Sequence, residues 1–65
     1  MKVEEISRYL VERRKTLAIS QQELAEYCGV SVHALSNLES GKGNPTLGLL
    51  LKVADVMGLK VTVGV

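Results

Sequence analysis

The sequence predicts a compact all-α domain of four to five short helices, closed by a short C-terminal β-strand. Three observations carry that prediction. Apolar residues recur at helical spacing through most of the chain. Ser20, Ser31 and Thr46 each stand before such a run, and Gly29, Gly41 and Gly58 stand after them, so the segments are punctuated as helices. The last seven residues switch to strict alternation, with Leu59, Val61, Val63 and Val65 separated by Lys60, Thr62 and Gly64.

In the first element Val3, Ile6, Leu10 and Leu17 share one stripe, which predicts a helix over 2–17. The slot between Leu10 and Leu17 is filled by Arg13 or Arg14. An arginine on an apolar stripe needs a carboxylate partner, because an unpaired buried charge is costly. Ser20 with Glu23 three residues later reads as a capping box, opening a second helix over 21–28. Its inner face is Leu24, Ala25 and Cys28, and Gly29 supplies the left-handed stop. Ser31 caps a third helix that runs to Ser40 and ends at Gly41. Leu35 and Leu38 face the core, while His33, Ser36, Asn37 and Ser40 face outward and Val32 lies on the flank. Turn formers fill Gly41-Lys42-Gly43-Asn44-Pro45. Thr46 caps a fourth helix over 47–57, with Leu50, Val53, Ala54 and Met57 inward. Tyr9 and Tyr27 are expected to be half-buried with wet hydroxyls, and Cys28 to be a buried, inert thiol.

Composition narrows the function. At 65 residues the chain is one domain at most, and so short a chain buries little core. One Cys and one His exclude an internal disulfide and a Cys/His zinc site, so no metal or cofactor is expected. The same scarcity argues against an enzyme, since no acid–base or nucleophilic set can be assembled. Oligomerisation is the remaining staple, and a 46% hydrophobic content suits apolar surface buried between chains. A lone strand leaves its backbone groups unpaired, so the tail is expected to pair antiparallel with a second copy. The alternative is a frayed tail lying against the helices. No segment has transmembrane length and the charged start MKVEE is no signal peptide, so a soluble cytoplasmic protein without membrane contact is expected.

The outer face of the third helix carries no charge, whereas a face that meets only water usually carries Lys and Glu. Small neutral hydrogen-bonding groups suit a DNA major groove. Two short capped helices joined at a glycine turn are the helix-turn-helix signature. The run Gln21-Gln22-Glu23-Leu24-Ala25, then Gly29-Val30-Ser31, then Leu35-Ser36-Asn37-Leu38-Glu39, then Gly41 and Pro45, resembles the lambda-repressor-like (Cro/repressor, Xre-type) DNA-binding family from Arg8 to Leu59. The β-patterned tail further resembles the HipB-type antitoxin subgroup, whose C-terminal strand builds a dimer and whose partner is a HipA-type toxin kinase.

The resemblance implies a helix-turn-helix domain over 1–58 and a dimerisation strand over 59–65 carrying Leu59, Val61, Val63 and Val65. It implies base contacts from Val32, His33, Ser36 and Asn37. Phosphate contacts are implied for Gln21, Gln22, Ser31, Lys42 and Asn44, and a structural ion pair for Arg14 and Glu39. Arg13 and Lys15 either touch phosphates or complement the helix dipole. The expected function is a dimeric repressor on an inverted-repeat DNA operator. The alternative is an antitoxin that neutralises a kinase and represses its own operon. A net charge of only +1 also suits a helix-turn-helix that serves as a protein adaptor, against which the neutral face and Lys42 argue. Val32 and Ser36 stand where the family often carries Gln or Arg, so readout would lean on few direct contacts and on DNA shape.

Overall fold

The four predicted helical segments appear as α1 (Val3–Thr16), α2 (Gln21–Cys28), α3 (Val32–Ser40) and α4 (Leu47–Val56) in a computed structural model that describes residues 2–64. Three helices start on a side-chain cap. The Ser20 hydroxyl accepts the Glu23 amide while the Glu23 carboxylate accepts the Ser20 amide, both at 3.0 Å. Ser31 accepts from the Ala34 amide at 3.0 Å and Thr46 from the Leu49 amide at 3.1 Å. Each cap satisfies a donor that the helix itself leaves orphaned. α1 starts without one, since Lys2 makes no side-chain cap.

Three helix ends share one hydrogen-bond pattern. After α2 the Val30 amide reaches the Ala25 carbonyl around Gly29, and after α4 the Leu59 amide reaches the Ala54 carbonyl around Gly58. After α1 the Ile19 amide reaches the Arg14 carbonyl around Ala18. The pivot must be left-handed in this motif. Gly29 and Gly58 adopt that conformation freely, but Ala18 holds it at φ 58° with a β-carbon. The glycine after α3 has a second reason to lack a side chain: a β-carbon on Gly41 would sit 3.3 Å from the Glu4 backbone of α1.

The helices close on one core of Leu10, Leu24, Ala25, Cys28, Leu35, Leu38, Val53, Ala54 and Met57, with Ile6, Ile19, Val30, Leu49, Leu50 and Leu59 packed around it. α1 packs on α3, and α2 packs on both α3 and α4. Leu17 differs from expectation: as the C-cap of α1 it is exposed. Tyr9 and Tyr27 are also more exposed than expected, at 67% and 65%, because the aliphatic core closes without them. Burial pushes the Cys28 thiol up, partly offset by the Lys52 ammonium, so the thiol is held protonated.

The tail departs from the expected strand. Among the described residues there is no strand and no fifth helix; residues 59–64 follow α4 without regular structure. The reason is physical: a single strand has no ladder to join within its own chain. Leu59 packs on the core, Val61 is partly exposed and Val63 is 97% exposed; Val65 lies outside the described residues. No helix among the described residues is long and apolar enough to cross a membrane.

Candidate nucleic-acid interface

The site is built on α3. Leu35 and Leu38 are buried, which turns Val32, His33, Asn37 and Ser40 outward, with Ser36 half-buried at the flank. α3 has one acidic residue and no Lys or Arg. The acid, Glu39, is drawn inward, so the outward surface is neutral and hydrogen-bonding. His33 and Asn37 are one turn apart and touch, with Asn37 Nδ2 3.4 Å from His33 Nε2. Ser40 Oγ donates to the Asn37 carbonyl at 2.9 Å.

What holds α3 is a charged cluster beneath it. Arg14 grips Glu39 with two parallel bonds, Nε to Oε2 at 2.8 Å and Nη2 to Oε1 at 3.0 Å. The remaining Arg14 nitrogen, Nη1, donates to the Ile19 carbonyl at 2.9 Å. Gln21 Nε2 adds a third donor to Glu39, at 3.0 Å to Oε1. One carboxylate thereby ties α1, the α1–α2 turn, the start of α2 and α3. The Arg14 and Glu39 side chains are only 14% and 5% exposed, so the bidentate geometry is shielded from competing water.

The residues expected at phosphates sit at two edges of α3. Gln21 is half-buried and its side chain is engaged inward on Glu39. What remains for an outside anion is its second amide hydrogen and the unpaired backbone N–H groups of the first turn of α2. Gln22, beside it, is exposed. The Ser31 hydroxyl oxygen caps α3, which leaves its proton free to donate outward. On the other edge Lys42 and Asn44 are exposed, and together with Asn37, Gly43 and Thr46 they border one shallow groove. The groove thus joins the exposed end of α3 to the cationic loop after it. The tail residues Leu59, Val61 and Val63 do not line this groove.

Residues 10–63 match the profile of the Helix-turn-helix family, which covers most of the chain. The chain belongs to the lambda-repressor-like helix-turn-helix family. It is 33% identical over 56 residues to the cryptic phage CTXphi transcriptional repressor RstR of Vibrio cholerae, covering 86% of this chain and 50% of that protein. It is 40% identical over 47 residues to an uncharacterised HTH-type transcriptional regulator of Methanothermobacter thermautotrophicus, covering 72% of this chain and 68% of that one. The chain therefore spans half the length of the Vibrio repressor. Within this helix-turn-helix protein, α2 and α3 are the paired helices and Gly29 to Ser31 is the turn.

Besides the Gln21–Glu39 bond, two positioning contacts of the helix-turn-helix unit were not anticipated from the sequence. Ser7 is buried on α1 and its hydroxyl donates to the Leu38 carbonyl of α3 at 2.6 Å. A signal existed: Ser7 lies four residues after Val3 and three before Leu10, on the inner stripe, where a small polar group implies a backbone partner. Arg13 Nε donates to the Met57 carbonyl at 3.0 Å, closing the C-terminal end of α4. That pairing spans 44 residues and has no local sequence signal.

Proposed function

We propose that this protein is a sequence-specific DNA-binding repressor that occupies an inverted-repeat operator as a dimer. The observation that carries the reading is the neutral outer face of α3, braced from beneath by the Arg14–Glu39–Gln21 cluster. α3 enters the major groove. Asn37 reads adenine through its amide, Val32 packs on a thymine methyl, and His33 and Ser36 face neighbouring bases. Gln21, Gln22 and Ser31 hold phosphates on one edge, and Lys42 and Asn44 on the other. With few cations available, placement rather than bulk charge supplies the affinity.

Dimerisation runs through residues 59–65, two tails pairing antiparallel across a two-fold axis. In support, Val61 stands at the border of two shallow grooves, one lined by Ile6, Tyr9 and Leu50 and the other by Leu51 and Asp55. Val63 beyond it is exposed. A second tail would complete the ladder and cover these apolar groups. The two α3 helices then lie about 34 Å apart, one turn of DNA. Repression follows from occupying DNA that polymerase needs, in line with the name of the Vibrio relative.

The deciding experiment selects bound fragments from genomic DNA and titrates the best site at two salt concentrations. The expected result is a palindrome, affinity that falls with salt, and Asn37→Ala weakening binding while relaxing one base position. Weak binding with no preferred sequence would sink the reading. An antitoxin reading keeps the same DNA contacts and adds a toxin kinase as partner. The β-patterned tail, with Val63 almost fully exposed, is the observation that favours it. Co-purification with a kinase encoded next to this gene tests it, and a neighbouring kinase that does not bind would remove it.

A further inference from the structure

We infer that His33 is a positioning residue for Asn37, selecting which edge of its amide is presented to a base; the inference rests on the DNA-binding reading above. An asparagine amide has two N–H donors and one oxygen, and on an exposed helix it can turn either way. Adenine recognition requires one donor and one acceptor side by side. His33 Nε2 lies one turn before Asn37 and 3.4 Å from its Nδ2. An imidazole nitrogen that accepts one amide hydrogen, the one remote from Oδ1, leaves the other N–H and Oδ1 together on one edge. That edge has the pattern adenine needs. The flipped amide would set Oδ1 against the lone pair of an Nδ1–H ring, which repels it; only an Nε2–H ring would hold that orientation, so the tautomer reports which edge is presented. Ser40 Oγ donates to the backbone carbonyl of Asn37 and does not engage its side-chain amide.

Accepting through Nε2 places the neutral ring's proton on Nδ1. His33 therefore acts on specificity through Asn37, besides any contact of its own. Its loss removes the orientation while leaving the amide in place.

The test has two arms on the full chain. The first reads the His33 tautomer by 15N NMR at a pH where the ring is neutral; Nδ1–H is expected, and an Nε2–H ring overturns the inference. The second measures base preference at each position of the best DNA site for the wild type, His33→Ala, His33→Gln, Asn37→Ala and the double variant. Asn37→Ala is expected to cut preference at one base pair by about tenfold. His33→Ala should cut it at the same base pair, and at that base pair the double variant should be no worse than Asn37→Ala. His33→Gln, whose side-chain oxygen can accept, should restore much of the preference. Losses that add up at that base pair, or a His33→Ala that leaves it untouched, overturn the inference while leaving DNA binding intact. A wild-type chain with no preferred DNA site overturns both, and the tautomer still reports on the pair by itself. Both residues exchanged are on the exposed face, and matching thermal melts exclude unfolding as the cause.

Discussion

Glu39 is the residue on which the geometry of α3 turns. Its carboxylate accepts two hydrogen bonds from Arg14 and one from Gln21. Glu39→Ala leaves the Arg14 guanidinium largely buried without its partner and Gln21 without an acceptor. The expected cost is about 3 kcal/mol, which lowers the melting temperature by roughly 12 °C or more in a domain this small. A melting curve unchanged by the substitution would remove the cluster from the account of stability. Ala18 offers a change of opposite sign. It occupies the left-handed pivot of the α1 end at φ 58°, where α2 and α4 use glycine. The methyl group is exposed, so its removal forfeits no packing. Ala18→Gly should stabilise by about 0.5–1 kcal/mol, the strain relieved outweighing the added freedom of the unfolded chain. Chemical denaturation checks this, and a loss of stability would mean the turn carries no strain.

At the scale of elements the caps carry the pattern. Three helices begin on a hydroxyl and all four are followed by a left-handed residue, so these boundaries are set by local chemistry. The capping box of α2 has a pH signature. The Ser20 backbone N–H, and then its hydroxyl, holds the Glu23 carboxyl below its ordinary value of 4.5. A carboxylate favoured by folding contributes fully above its unfolded value and loses that contribution as pH falls through the lower folded value. Melts taken from about pH 6 down to about pH 3 should therefore show a loss of stability that Glu23→Gln partly flattens. Identical pH profiles for the two proteins would contradict the box. These elements were legible because capping is read from three or four adjacent residues. The β-patterned tail was legible as a pattern but not as a structure, since a strand exists only with its partner.

For the whole molecule the open question is what covers the tail. Val61 borders grooves with α1 and α4, and Val63 is almost fully exposed. Deleting residues 60–65 should turn a dimer into a monomer in the ultracentrifuge. The truncated chain should still bind a half-site, while affinity for a full palindrome drops by about a hundredfold or more. A truncated chain that remains dimeric would move the interface off the tail.

Local chemistry in the sequence determined the helices, their caps and the inner faces of α2, α3 and α4, because periodicity and capping act over a turn or two of chain. It also carried the neutral face of α3, since the residues that face outward follow from those that face inward. Tertiary structure decided what no local pattern encodes: that Gln21 turns inward to Glu39, that Arg13 closes α4 on the Met57 carbonyl, and that Ser7 bonds to Leu38. Each of those contacts joins residues 18 or more positions apart. Such contacts form only once the aliphatic core has brought the helices together, so their partners are chosen by packing and not by neighbours in the chain.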